Sequence, residues 1–168
     1  AYDSMKSASL HKLTFKRLTK TELTNKVNKR LKSSKAKRIK ETLIHLIFKM
    51  AHGHLFYPDE WLNYALENKN ISGKKIKEFW HELALSKQHE INKQLLSLSN
   101  NQKIAINHLA QNPTNQPFNV RNMPIHMNAA SYMQAVKKLI KLDLLHVDYL
   151  DIYRLKDPTF EYYLKHIL

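Results

Sequence analysis

Cysteine is absent from the 168 residues of this chain, which excludes disulfide scaffolds, Cys-ligated zinc and thiol catalysis. Glycine is nearly absent, with Gly53 and Gly73 alone. A β-sandwich or barrel needs many tight turns, and a dinucleotide or phosphate loop needs clustered glycines; two glycines supply neither. No apolar run approaches the ~20 residues of a membrane-spanning helix, and no signal-peptide pattern opens the chain. The expected compartment is therefore the cytoplasm, with no membrane among the expected partners. Acids are scarce as well: 14 Asp and Glu stand against 28 Lys and Arg, a formal net charge of +14. Hydrophobic residues, at 43%, suffice for a buried core in one domain or two small ones.

The base is concentrated at one end. Residues 1–50 hold fourteen Lys and Arg against Asp3, Glu22 and Glu41. The densest run is Lys26, Lys29, Arg30, Lys32, Lys35, Lys37, Arg38 and Lys40. Two readings stand side by side. One is a solvated helical face; the other is a surface for a polyanion, where each cation set against a phosphate releases counterions. No Trp or Phe cluster lies opposite these cations, as a membrane-surface helix would require.

Hydrophobic periodicity predicts a mainly helical fold. Leu13 to Leu18 alternates briefly, as a strand or an extended arm. Thr19 or Thr21 followed by Glu22 marks a helix start, and Leu23, Val27 and Leu31 make one apolar stripe. A second helix carries Ile39, Leu43, Leu46, Ile47 and Met50 and ends at Gly53 in a left-handed cap. Pro58-Asp59-Glu60 opens a third. One long helix is expected from about Lys74 to Leu98. The pattern changes between Ser97 and Asn101, which divides the chain into a basic helical domain, 1–97, and a second domain, 98–168.

The second domain reads as helix, helix, helix, β-hairpin, helix over about 70 residues, the order of a winged helix. Its helices cover Lys103–Gln111 and Asn128–Leu142. Two β-type runs, Leu145–Tyr149 and Ile152–Leu155, flank a two-residue turn at Leu150-Asp151. Asp157-Pro158 opens the last helix. On Asn128–Leu142, the residues Asn128, Ser131, Gln134, Lys138 and Lys141 recur at spacings of 3, 3, 4 and 3, with Lys137 beside them. Asn and Gln pair bidentately with adenine, Ser reaches base or phosphate and Lys reaches phosphate, so this face is the candidate reader of DNA. The alternative is an ordinary solvent-facing surface. Val136, Leu139 and Ile140, with Tyr132 or Met133, form the opposite face. Asp143, Asp148 and Asp151 make the hairpin acidic, which opposes a phosphate-contacting wing.

No catalytic constellation emerges. Zinc needs three or four converging ligands, and Glu78, His81 and Glu82 read instead as an exposed polar face. His45 reads as a partly buried core residue. No Gly-flanked serine supplies a nucleophile elbow. Neither enzymatic activity, a cofactor nor a metal is expected.

The closing segment Tyr153-Arg154-Leu155-Lys156-Asp157-Pro158-Thr159-Phe160, running on to Leu164, resembles the C-terminal winged helix of prokaryotic AAA+/STAND-type ATPases of the archaeal ATPase group. The helix end Leu139 to Leu145 is similar to the element preceding that hairpin. Tyr2-Asp3-Ser4-Met5 and Leu13 to Glu22 are similar to the segment following the ATPase core. Met50 to Tyr57 resembles the group's helical-lid motif, with Leu55 where proline is usual. Neither a glycine-rich phosphate loop nor an acidic Walker B strand accompanies these segments. The resemblance implies a lid and winged helix without a nucleotide-binding core. The expected function is non-catalytic binding of duplex DNA; the alternative is a docking or regulatory module whose partner is an ATPase core or another protein.

Overall fold

The computed structural model describes residues 17–34, 39–54, 57–68, 71–148 and 150–168, the side chains of 33 and 34 excepted. The fold is mainly helical, with one small antiparallel sheet. Helix α1 (Lys20–Ser34) starts at Thr19, not Thr21. The Glu22 N–H donates to Thr19 Oγ1 at 3.2 Å and the Thr19 N–H to Glu22 Oε2 at 2.7 Å, a reciprocal capping box. Helices α2 (Glu41–Ala51), α3 (Tyr57–Glu67) and the start of α4 (Gly73–Ser86) close the first core. Leu23, Val27, Ile44, Ile47, Trp61, Leu62 and Ile76 meet there. The left-handed turn after α2 begins one residue earlier than expected: His52 (φ 48) and Gly53 (φ 71) both adopt it.

The single long helix expected over 74–98 is two. Helix α4 gives way to α5 (Gln88–Ser97) at Lys87, whose φ and ψ are −92 and 1. Neither glycine nor proline causes the break. The stretch packs in three apolar clusters: Ile76 in the first core, Trp80 in a small middle cluster with Ala51 and Tyr57, and Ile91 in the second core. The α5 helix, which the sequence pattern groups with the basic half, thus buries Ile91 against the C-terminal elements.

That second core is built by α6 (Asn100–Gln111), α7 (Ala129–Lys141), the hairpin β1 (Leu145–Val147) and β2 (Tyr153–Leu155), and α8 (Pro158–His166). Ser99 and Gln102 form a capping box that starts α6 at Asn100, ahead of Lys103. Leu109, Val136, Leu139, Leu145, Leu155 and Phe160 fill the interior. The strands pair Leu145 with Leu155 and Val147 with Tyr153. Their connection runs from Asp148 to Ile152, longer than the expected two-residue turn, because a side chain closes it: Asp148 Oδ1 accepts from the N–H groups of Leu150 (2.8 Å) and Ile152 (3.0 Å). Between α6 and α7, Thr114 makes an isolated antiparallel bridge to Tyr153 and Val120–Asn122 forms one 3-10 turn. Among the described residues no helix is long and apolar enough to cross a membrane.

Candidate nucleic-acid interface

Helix α7 is placed by its cap and by its amphipathicity. Asn128 Oδ1 accepts the Ser131 N–H at 2.8 Å, which starts the helix. Tyr132, Ala135, Val136 and Leu139 are buried, so Tyr132 rather than Met133 completes the inner face. The outer face shows Gln134, Lys137, Lys138 and Lys141 to solvent, with Ser131 half-buried. No Asp or Glu occurs in α7. Of the predicted readers, Asn128 alone is committed elsewhere, because its oxygen is spent on the cap.

Of the three hairpin acids, Asp148 is turned inward, whereas Asp143 and Asp151 are exposed. Asp148 takes Arg154 Nε at 2.9 Å as well as the two loop N–H groups, and Asp143 is paired with Lys156. Burial pushes the Asp148 carboxyl up, but its backbone hydrogen bonds and Arg154 outweigh that and hold it below the usual range. Asp148 and Asp143 are thus paired within the hairpin, while Asp151 stays exposed with no ion-pair partner among the described residues.

The basic run near α1 is divided. Lys26 pairs with Asp59 at 2.7 Å and Arg30 NH2 donates to Asn63 Oδ1 at 2.9 Å, so both hold α1 against α3. Lys29, Lys32 and Lys40 are exposed. Lys35, Lys37 and Arg38 lie outside the described residues, as do Tyr2 to Met5, Leu13 to Lys16, Leu55 and Tyr149.

Sequence reasoning missed the polar seam between the two cores. Asp157 caps α8 by accepting the Thr159 N–H at 2.8 Å, and the same Oδ1 accepts the Tyr57 hydroxyl at 2.6 Å. Lys87 donates to the Tyr57 oxygen at 2.6 Å and lies 3.5 Å from Asp157 Oδ2. Burial raises the Tyr57 phenol far above its usual range, and the neighbouring Asp157 adds to it. Nearby, Glu161 is 2% exposed and its Oε1 meets Lys165 at 2.6 Å, His52 Nε2 at 3.4 Å and Arg154 at 3.9 Å. Burial works against the Glu161 charge, yet His52 and Lys165 hold its carboxyl below the ordinary value. Arg17 donates to the carbonyls of His52 (2.9 Å) and Lys156 (2.8 Å). The Asp157-Pro158 signal was visible as a helix start; its partner Tyr57, a hundred residues earlier, was not.

The histidines do not converge. His45 is exposed, not a core residue, because α2 turns Ile44 and Ile47 inward instead. His81 sits edge-on to Tyr162 at 6.1 Å. Among the described residues no group of three or more His, Asp or Glu is arranged to hold a metal ion. No family model, curated protein or solved structure matches the chain.

Proposed function

We propose that this chain is a non-catalytic module that binds duplex DNA through α7, in a winged-helix arrangement within residues 98–168. The observation that carries the reading is the outer face of α7: three exposed lysines and Gln134 on a helix without an acid, backed by a fully packed inner face. A solvent-facing helix that only needed solubility would mix both charge signs. Element order supports the winged-helix part, since α6, the Thr114 bridge, the 3-10 turn, α7, the hairpin and α8 follow one another as that arrangement requires. Pairing of Asp143 with Lys156 and of Asp148 with Arg154 reduces the electrostatic objection to Asp151, which stays exposed. The archaeal-ATPase resemblance belongs to the same proposal: the basic half corresponds to a lid and the second half to the winged helix.

A second reading has its own observation. Val120 is 80% and Ile125 94% exposed on the loop that leads into α7. Large apolar side chains held in solvent suit a protein-docking face, with an ATPase core or another protein as partner.

Salt titration of binding to a random-sequence duplex separates the two. Each phosphate contact contributes about −0.9 to the log–log slope, so replacing Lys137, Lys138 and Lys141 by Ala should flatten it by roughly 2.7. Replacing Lys26 should leave the slope nearly unchanged, because that ammonium is held by Asp59. Absence of DNA binding at low salt would overturn the proposal in favour of docking.

A further inference from the structure

A cavity of about 890 Å³ lies along the seam between the two cores. Its walls come from α2, α4, the hairpin and α8, so an occupant touches both halves at once. The volume falls in the range of small-molecule sites. Its chemistry is of three kinds. Phe48 and Tyr162, both half-buried, supply aromatic surface, with the buried Trp80 behind them. Lys49 and Lys77 stand exposed at the rim, and neither has a carboxylate within ion-pair distance among the described residues. On the inner wall is Glu161, whose Oε1 takes all the contacts with His52, Lys165 and Arg154. Glu161 Oε2 is buried and has no hydrogen-bond partner among the described residues.

A buried carboxylate oxygen without a donor is rare, because desolvation is then uncompensated. The terminal torsion of Glu is broad and two-fold, so a small rotation turns the free oxygen toward an incoming donor. That donor is neutral: the Lys165 ammonium and the Arg154 guanidinium already face the carboxylate, and a further ammonium would be repelled. At the rim the need is opposite, since two unpaired ammonium groups call for an anion. Between them, flat aromatic walls favour a planar apolar body.

We propose that the seam cavity binds a hydroxylated aromatic acid, with its ring against Phe48 and Tyr162, its carboxylate at Lys49 and Lys77, and its hydroxyl donating to Glu161. The site is separate from the α7 face, and the inference stands whether or not α7 binds DNA.

The test uses the full 168-residue chain labelled with 15N, with the Trp80 indole N–H as reporter, assigned through Trp80→Phe. Titration with 4-hydroxycinnamate should shift that signal saturably. Cinnamate, which lacks the hydroxyl, and 4-vinylphenol, which lacks the carboxylate, should each bind about tenfold more weakly, the loss expected for one hydrogen bond or ion pair. Lys49→Ala with Lys77→Ala should lower 4-hydroxycinnamate binding to the level of 4-vinylphenol and leave 4-vinylphenol unaffected. Both positions are exposed, so the fold is preserved. Comparable affinity for all three compounds, no shift at millimolar concentration, or indifference to the lysine substitutions would each overturn the assignment.

Discussion

Gly53 shows how one residue fixes a junction. Its φ is +71, and a Cβ there would stand 2.5 Å from the backbone oxygen of Leu18. The Gly53 carbonyl also accepts the Leu18 N–H at 2.8 Å, so neither strand of chain is free to withdraw. Gly53→Ala should lower stability by more than about 1 kcal/mol, through both strain and crowding. An unchanged urea midpoint would show that the turn relaxes without cost. His146 teaches a different lesson. Burial, with Arg17 nearby, pushes its imidazole down to about 4 from 6.5. His54 is lowered in the same way by burial and Arg17. An unfolded chain takes up these protons first, so their contribution is complete above pH 6.5 and is lost as pH falls toward 4. Urea midpoints should therefore decline across that window, and His146→Gln should flatten the decline. Constant midpoints between pH 7 and pH 4 would contradict the argument.

At the scale of the element, Asn128 caps α7 and is also one of the residues proposed to read DNA. Asn128 caps the helix, so Asn128→Ala should cost about 1 kcal/mol of stability before any contact with DNA is considered. Asn128→Ser keeps a capping oxygen and removes the amide. If the amide also reads adenine, the serine variant should keep its melting temperature and lose sequence preference. Retained preference would confine Asn128 to capping. The break at Lys87 belongs to this scale too. The sequence pattern runs as one helix from about Lys74 to Leu98, and nothing local to it ends a helix at Lys87. The termination follows from where three separate clusters lie and from the reach of Lys87 to Tyr57 and Asp157.

At the scale of the molecule, two apolar cores are joined by a polar seam. Arg17 ties the end of α2 to the residue following β2, and His52 meets Glu161 across the same boundary. Arg17→Ala should remove two charge-assisted hydrogen bonds at a cost of about 1–3 kcal/mol and loosen the seam first. The tryptophans report the two regions separately, since Trp61 lies in the first core and Trp80 at the seam. With single-tryptophan chains, the variant should show the Trp80 transition moving to lower urea ahead of that of Trp61. Coincident transitions at the original midpoint would show that Arg17 does not hold the seam.

The sequence by itself determined the helical class, the stripes of α1 and α7, the hairpin ahead of Asp157-Pro158, and the solvent-facing row from Gln134 to Lys141. All of these are local: they depend on side-chain period, on caps within four residues and on proline or glycine at fixed offsets. In α2 the inner face shifted to Ile44, Ile47 and Ala51. Tertiary structure alone decided which charges are available. Lys26 and Arg30 look like the rest of the basic run, and only the approach of α3 sets them against Asp59 and Asn63. Asp148 counts as an acid in composition, yet it is consumed by its own loop and by Arg154. Glu161 carries a charge into the interior because His52, after α2, and Arg154, on β2, join Lys165 of its own helix. A charge is read from one letter of sequence; its partner is fixed by distance through space, which sequence separation does not encode.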